Sequence, residues 1–186
     1  VEDAKNKKTC PQFMDMIKNK FDAVINVSLQ NNIEKQMLDL ILQVSNKNPK
    51  IAFILIPRLK HKNPSEYFFE EKNIFIAPVD RDPNANFYSI NKYCDAHITC
   101  YSTTSLESMG QGIPTILLDI DNKASFFLKN TENYYGIQKV NNINDLDIAL
   151  EKIKSINIEK IKANDFIKSN FKKNIDNVIG HLGLNK

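Results

Sequence analysis

The sequence predicts an α/β domain with a mostly parallel sheet of about six strands between two layers of helices. Three observations predict it. Apolar runs such as Lys50-Ile-Ala-Phe-Ile-Leu-Ile56 are continuous rather than alternating, as in strands covered on both faces. These runs alternate with amphipathic stretches, the order that gives parallel strands joined by right-handed helical crossovers. Proline or glycine then stops the elements, at Pro57, Pro78 and Gly112-Ile-Pro114.

The elements follow in order. A helix over residues 10–20 begins at Pro11, which suits a first helical turn. Ala23–Leu29 reads as the first strand. Asn31 or Asn32 is expected to cap a helix with Ile33, Met37, Leu40, Ile41 and Val44 on one face. Lys50–Ile56 and Asn73–Ala77 are the next strands. A helix over Asn86–Tyr93 turns Phe87, Ile90 and Tyr93 inward, and His97–Cys100 is the fourth strand. Thr104–Gln111 is a helix, Pro114–Leu118 the fifth strand and Tyr135–Val140 a shorter sixth. Amphipathic helices over Asp145–Lys154 and Ile158–Leu182 close the chain. Residues 1–156 form a Rossmann-like domain in this reading, and residues 157–186 a helical appendage of the same domain, able to contact a second one. The turn-rich loop Asp80–Asn86 is expected to be the most mobile segment.

Composition narrows the classes. The chain has 186 residues, 42% of them hydrophobic and 25% charged, which suits one domain with a substantial core. The net charge of +3 is too balanced to point to nucleic acid. It does allow weak attraction to anionic substrates or lipid headgroups, hence a peripheral membrane association. No apolar run approaches a membrane span and no signal peptide opens the chain, so a cytoplasmic protein, at most at the inner face of the membrane, is expected. Cys10, Cys94 and Cys100 are odd in number and lack Cys-x-x-Cys spacing, so free thiols are the expectation. His61, His97 and His181 have no ligand spacing, and His97, opening an apolar strand, reads as structural. With no Gly-x-Gly-x-x-Gly, Walker loop, Gly-x-Ser-x-Gly or His-Glu-x-x-His, the dinucleotide, ATPase, hydrolase and zinc-protease classes have no support.

One stretch carries chemistry: Tyr101-Ser-Thr-Thr-Ser-Leu-Glu107, followed by Gly112-Ile-Pro114 and a buried strand. Four consecutive hydroxyl residues stand at a helix start, where unpaired N–H groups favour an anion. Glu107 in the first turn can accept hydrogen bonds from sugar hydroxyls. Thr104-Ser-Leu-Glu107 also fits a plain capping box with Gly112 as left-handed stop, but a cap needs one hydroxyl, not four. In an open α/β sheet ligands bind at the carboxyl ends of the strands. That rule gathers Gln30 after strand one, Arg58, Lys60 and His61 after strand two, Pro78 and Val79 after strand three, the 101–104 turn after strand four and Asp119 after strand five.

The Ser/Thr cluster, Glu107 and Gly112-Ile-Pro114 resemble the nucleotide-sugar half of GT-B glycosyltransferases, related to the nucleotide-sugar 2-epimerases. The resemblance covers Ala23–Asp119 well and the tail loosely. It implies diphosphate contacts from Ser102, Thr103 and Thr104, a ribose contact from Glu107 and a basic diphosphate contact from Arg58 or Lys60. Pro78 and Val79 would lie beside the base, and Gln30 and Asp119, or the helix start at Lys123–Ser125, beside the substrate sugar. It implies no cofactor and no metal. Asp119-Ile-Asp121 and Asp80-Arg-Asp82 do match the Asp-x-Asp of metal-dependent transferases, but the order of motifs is that of the metal-independent class.

The expected function is therefore donor binding for sugar transfer from a nucleotide sugar, a UDP-sugar first, in bacterial surface polysaccharide synthesis. Such enzymes need two halves, and a chain opening on Val1 rather than Met is expected to be a fragment whose N-terminal acceptor half is supplied in cis or by a partner subunit. The rivals are a 2-epimerase-like enzyme and a non-catalytic nucleotide-binding subunit of a split transferase. A response-regulator switch is disfavoured, because strand one is not followed by an acidic pair.

Overall fold

A computed structural model describes residues 9–57, 71–79, 82, 84–128 and 134–162. Six strands form one sheet: β1 (Ala23–Ser28), β2 (Ile51–Ile56), β3 (Ile74–Ile76), β4 (Ala96–Thr99), β5 (Thr115–Leu118) and β6 (Ile137–Val140). Every pairing is parallel and the spatial order is β3-β2-β1-β4-β5-β6. The chain winds outward from β1 one way, then returns to place β4 on its other side. The crevice above β1 and β4 is thus the topological switch point.

The helices are α1 (Cys10–Lys18), α2 (Glu34–Lys47), α3 (Phe87–Asn91), α4 (Thr104–Gly110), α5 (Lys123–Phe127), α6 (Ile143–Lys152) and α7 (Ile158–Lys162). The side-chain period of two assigns the faces. Ile25 and Val27 of β1, with Phe53 and Leu55 of β2, pack on Met37, Ile41 and Val44 of α2 and on Leu146 and Leu150 of α6. Val24, Ala52 and Ile54 point the other way, onto Met14 and Ile17 of α1 and Ile90 of α3. This is the three-layer Rossmann-like architecture that the alternating sequence predicts.

One local expectation is corrected and one rival reading falls. Neither Asn31 nor Asn32 caps α2: residues Asn31–Ile33 form a 3-10 turn, and α2 starts at Glu34 with Ile33 before it. The buried Ile33 anchors that turn on the core, so tertiary packing sets the start. Nor do Thr104 and Glu107 form a capping box, since Thr103 precedes the helix and makes no side-chain cap bond. At the other end of α4 the expected stop is present. Gly112 has φ 80°, its N–H donates to Met109 O (2.8 Å), and Ile113 N–H donates to Ser108 O (3.0 Å), a Schellman closure.

The 80–86 loop is described only in part, with Asp80, Arg81 and Pro83 outside the described residues. Asp82 accepts the backbone N–H groups of Cys10 (2.7 Å) and Asn84 (2.8 Å). These bonds hold its carboxyl below the usual range and tie the loop to the start of α1. In the tail Ile161 is fully buried against Gly136, whose φ of 91° leaves no room for a Cβ: Ile161 Cγ1 would lie 2.6 Å from it. The remainder of the expected Ile158–Leu182 helix lies outside the described residues.

Candidate nucleotide site at the switch point

The turn from β4 into α4 is held from below and from the side. Gln30, 3% exposed, reaches across the crevice from the end of β1. Its Oε1 accepts the N–H groups of Cys100 (3.1 Å) and Tyr101 (3.0 Å), and its Nε2 donates to Tyr101 O (2.9 Å). Gln30, expected beside the substrate, thus acts as a side-chain strand partner that fixes where the turn leaves the sheet.

Beneath α4 lies a buried polar chain. Asn26 of β1 and His97 of β4 are register partners on adjacent strands, and both are fully buried. Asn26 Nδ2 donates to Asn91 Oδ1 (2.6 Å), which also accepts Ser108 Oγ (3.0 Å), while Asn91 Nδ2 donates to Gln111 Oε1 (3.0 Å). The other end of the Asn26 amide, Oδ1, faces His97 Nδ1 in a short contact. His97 Nε2 lies 3.1 Å from Thr104 Oγ1, and Thr104 Oγ1 lies 3.0 Å from Ser102 Oγ. No buried side-chain nitrogen or oxygen among the described residues lacks a partner.

The acceptors give this chain a direction. Asn26 Oδ1 can only accept, so His97 carries its proton on Nδ1. Burial lowers the His97 pKa to about 3, so the ring is neutral and Nε2 is an acceptor. Thr104 must then give its single hydroxyl proton to His97, and the Ser102 proton goes to Thr104. Ser102 Oγ also lies 3.4 Å from the Thr104 N–H, which donates to it. Ser105 completes the turn, its Oγ donating to Ser102 O (2.6 Å).

Of the four hydroxyls, therefore, three are committed inward. Thr103 is the exception: its side chain is exposed and makes no hydrogen bond among the described residues. One turn on, on the same face, stands the half-buried Glu107. Its carboxylate stands near the Tyr88 hydroxyl and raises the Tyr88 pKa. A carboxylate has room for further donors. At seven residues α4 is short, so its dipole is a minor asset.

The loop after β5 is built differently. Burial pushes the Asp119 carboxyl up, but the Ser125 hydroxyl and N–H and the Lys139 ammonium outweigh it and hold its pKa below the usual range. Asp119 Oδ1 accepts Ser125 N–H (3.0 Å), Oδ2 takes the Ser125 hydroxyl, and Lys139 Nζ donates to Ser125 Oγ (2.7 Å). Asp119 is thus a cap for α5. Asp121 and Asn122 have left-handed backbone, and Asp121 pairs with Lys123 (3.0 Å). The two carboxylates of Asp119-Ile-Asp121 are committed to different partners. Among the described residues no three His, Cys, Asp or Glu side chains cluster as metal ligands. Tyr101, Lys123, Ser125, Phe126 and Phe127 line an open, largely apolar cavity of about 950 Å³ between this loop and the 101–104 turn.

Val79 packs into the α1-side core, and its N–H donates to Ala77 O (2.8 Å), while Pro78 O accepts Asp82 N–H (3.0 Å). Arg58, Lys60 and His61 lie outside the described residues. Sequence reasoning missed Asn26, Asn91 and Tyr88. The first had a signal, an amide inside a six-residue buried strand beside a histidine in the next one. Nothing in the sequence marks Tyr88.

No protein-family model and no curated protein sequence matches the chain. Solved structures do. CalG4, the calicheamicin glycosyltransferase, superposes with a TM-score of 0.61 at 17% identity, over 87% of this chain and 42% of that one. The C-terminal domain of LpcC, a group 1 family glycosyl transferase from Francisella tularensis, matches with a TM-score of 0.58 at 14% identity, over 90% of this chain and 94% of that domain. The fold is that of a GT-B glycosyltransferase half. MnaA from S. aureus, solved with UDP, matches with a TM-score of 0.57 at 14% identity, over 87% of this chain and 42% of that one. The GT-B half-fold accordingly spans about two fifths of the CalG4 and MnaA chains.

Proposed function

We propose that this GT-B half binds a nucleotide-sugar donor, a UDP-sugar first, for metal-independent glycosyl transfer. The observation that carries the reading is the pairing of Thr103 and Glu107 on the one outward face of α4, at the carboxyl edge where the strand order reverses. Thr103 offers a hydroxyl and an amide to the diphosphate, and Glu107 offers acceptors to the ribose hydroxyls. Ser102 and Thr104 support that face from behind instead of touching the anion, and Gln30 sets its height. The cavity beside Tyr101 and Ser125 takes the sugar, with Asp119 shaping it through α5.

In this reading the half-domain assists departure of the nucleoside diphosphate. Donors fixed before reaction need no reorganisation as charge grows on the leaving oxygen. The acceptor and its base come from a second half, in cis or in a partner subunit, because cleft closure is what positions an acceptor and excludes water. The reading places this transfer in bacterial surface polysaccharide synthesis.

Calorimetry with UDP in the presence of a chelator tests the reading. Binding is expected without metal, and Glu107→Ala is expected to weaken it by roughly 1.5–3 kcal/mol, the range for hydrogen bonds to a charged group. Binding only with Mg²⁺ or Mn²⁺, or an affinity indifferent to Glu107, rejects it. Residues 1–186 alone are expected to bind donor but transfer no sugar.

A further inference from the structure

The buried imidazole of His97 lies outside the surface assigned to the nucleotide, yet its one free nitrogen is spent on the turn that presents that surface. We propose that His97 is a positioning residue of the nucleotide site, acting through the Thr104 hydroxyl to lock the 102–104 turn with Thr103 facing outward. The inference rests on the nucleotide reading and assigns His97 a task within it.

The geometry runs in one direction. Asn26, itself held by Asn91, fixes the His97 ring by its Nδ1 side. The ring also meets Phe87 edge to face, with centroids 5.1 Å apart, which sets its tilt. Nε2 then stands at a fixed point under the first residue of α4, 3.1 Å from Thr104 Oγ1. Thr104 is the sole described side chain on that nitrogen, and its oxygen in turn accepts from Ser102. A free threonine hydroxyl samples three rotamers and bonds to its own backbone in several of them. With its proton on His97, Thr104 keeps one rotamer, Ser102 keeps one proton direction, and the turn cannot rotate a second hydroxyl outward in place of Thr103. A purely structural histidine would require only that the buried ring be satisfied. A positioning histidine requires that its acceptor face the Thr104 hydroxyl, and that nucleotide affinity depend on this bond.

The test uses UDP as probe and four variants measured by calorimetry, each with its melting temperature. Thr104→Val removes the hydroxyl and keeps the shape; it is expected to weaken UDP binding about tenfold, and Thr104→Ser to stay within about twofold of the parent. His97→Asn can still reach Asn26 but not Thr104, and is expected to lose about as much as Thr104→Val. The double variant is expected to be no weaker than the weaker single, because both break one linkage. Independent losses in the double variant, or a Thr104→Val affinity within twofold of the parent, overturn the proposal even if His97→Asn does not fold. Nitrogen-15 NMR of the His97 ring gives a second readout. A proton on Nδ1 and a bare Nε2 are expected; a proton on Nε2 overturns the proposal while leaving UDP binding intact. A parent protein that binds no UDP rejects the nucleotide reading and the positioning role with it.

Discussion

The turn after β4 and the loop after β5 meet at the same edge of the sheet and are built on opposite plans. The first is clamped by buried side chains from three other elements: Gln30 and Asn26 from the β1 side, Asn91 from α3 and His97 from β4 itself. The second is held at its surface, by Asp119 and Lys139 on Ser125 and by the Asp121–Lys123 pair, runs through two left-handed residues, and leaves Phe126 82% exposed. The difference teaches how to read a hydroxyl-rich turn. Ser102, Thr104 and Ser105 shape the turn itself, and among the four hydroxyls Thr103 is the one left facing outward. In the second loop little is needed for shape, so its surface is open for contact.

The comparison breaks most sharply at the base of the clamp. Asn26→Leu removes the acceptor for His97 Nδ1–H, leaving that buried donor unpaired, and takes from Asn91 Oδ1 one of its two donors, the other being Ser108 Oγ. The expected loss is about 3 kcal/mol or more by urea denaturation, the size seen when a buried network loses a central member. A loss below about 1 kcal/mol would mean that the chain of amides is not what holds the turn.

Acid separates the two regions next. The folded His97 pKa, about 3, lies below the ordinary value of 6.5, so between those pH values the unfolded chain binds a proton that the folded chain refuses. Stability contributed by this group is therefore complete above about pH 6.5 and declines as the pH falls toward 3, by up to about 1.4 kcal/mol per pH unit. His97→Gln should flatten the stability profile over that window. Equal slopes for parent and variant would show a histidine that titrates freely.

Much of this fold was legible because burial on two faces writes continuous apolar runs. All six strands are found where those runs stand, with ends moved by a residue or two, as for Lys50–Ile56 against Ile51–Ile56. Helix starts were less legible where packing overrides capping, as at Ile33. The site was legible as a region, since Gly112 and the carboxyl-edge rule place the 101–107 stretch at the switch point. Its internal division of labour was not. Whether a threonine hydroxyl faces solvent or a histidine depends on a residue seven positions earlier and on a partner strand, Asn26, 71 residues from His97 in sequence. No local pattern encodes that.

A milder effect is expected at the second loop. Asp119→Ala removes the cap on Ser125 N–H and should cost about 1 kcal/mol, typical of a helix cap, with the 102–104 turn unchanged. Because the Asp119 pKa is held below its ordinary value, this contribution is complete above about pH 4 and fades as the pH falls below it. The acid window of the second loop thus lies below most of the His97 window. Denaturation of Asp119→Ala and its parent in steps from pH 7 down to pH 2 measures it, and a difference that does not shrink as the pH falls below 4 would show that the carboxylate charge does not hold the cap.

The smallest effect on stability, and the most selective one on binding, is expected at Phe126. Its ring is too exposed for removal to open a cavity in the core, so Phe126→Ser should change stability by no more than about 0.5 kcal/mol. It stands on the rim of the cavity beside Tyr101 and Ser125, apart from the Thr103 face. If the nucleotide lies on the Thr103–Glu107 face and the sugar in the cavity, UDP affinity should be unchanged in this variant while UDP-sugar affinity falls several-fold. Calorimetry with UDP and with one UDP-sugar on the same preparation separates the two arms. An equal loss for both ligands would move the nucleotide itself into the cavity and leave the clamped turn without a ligand to present.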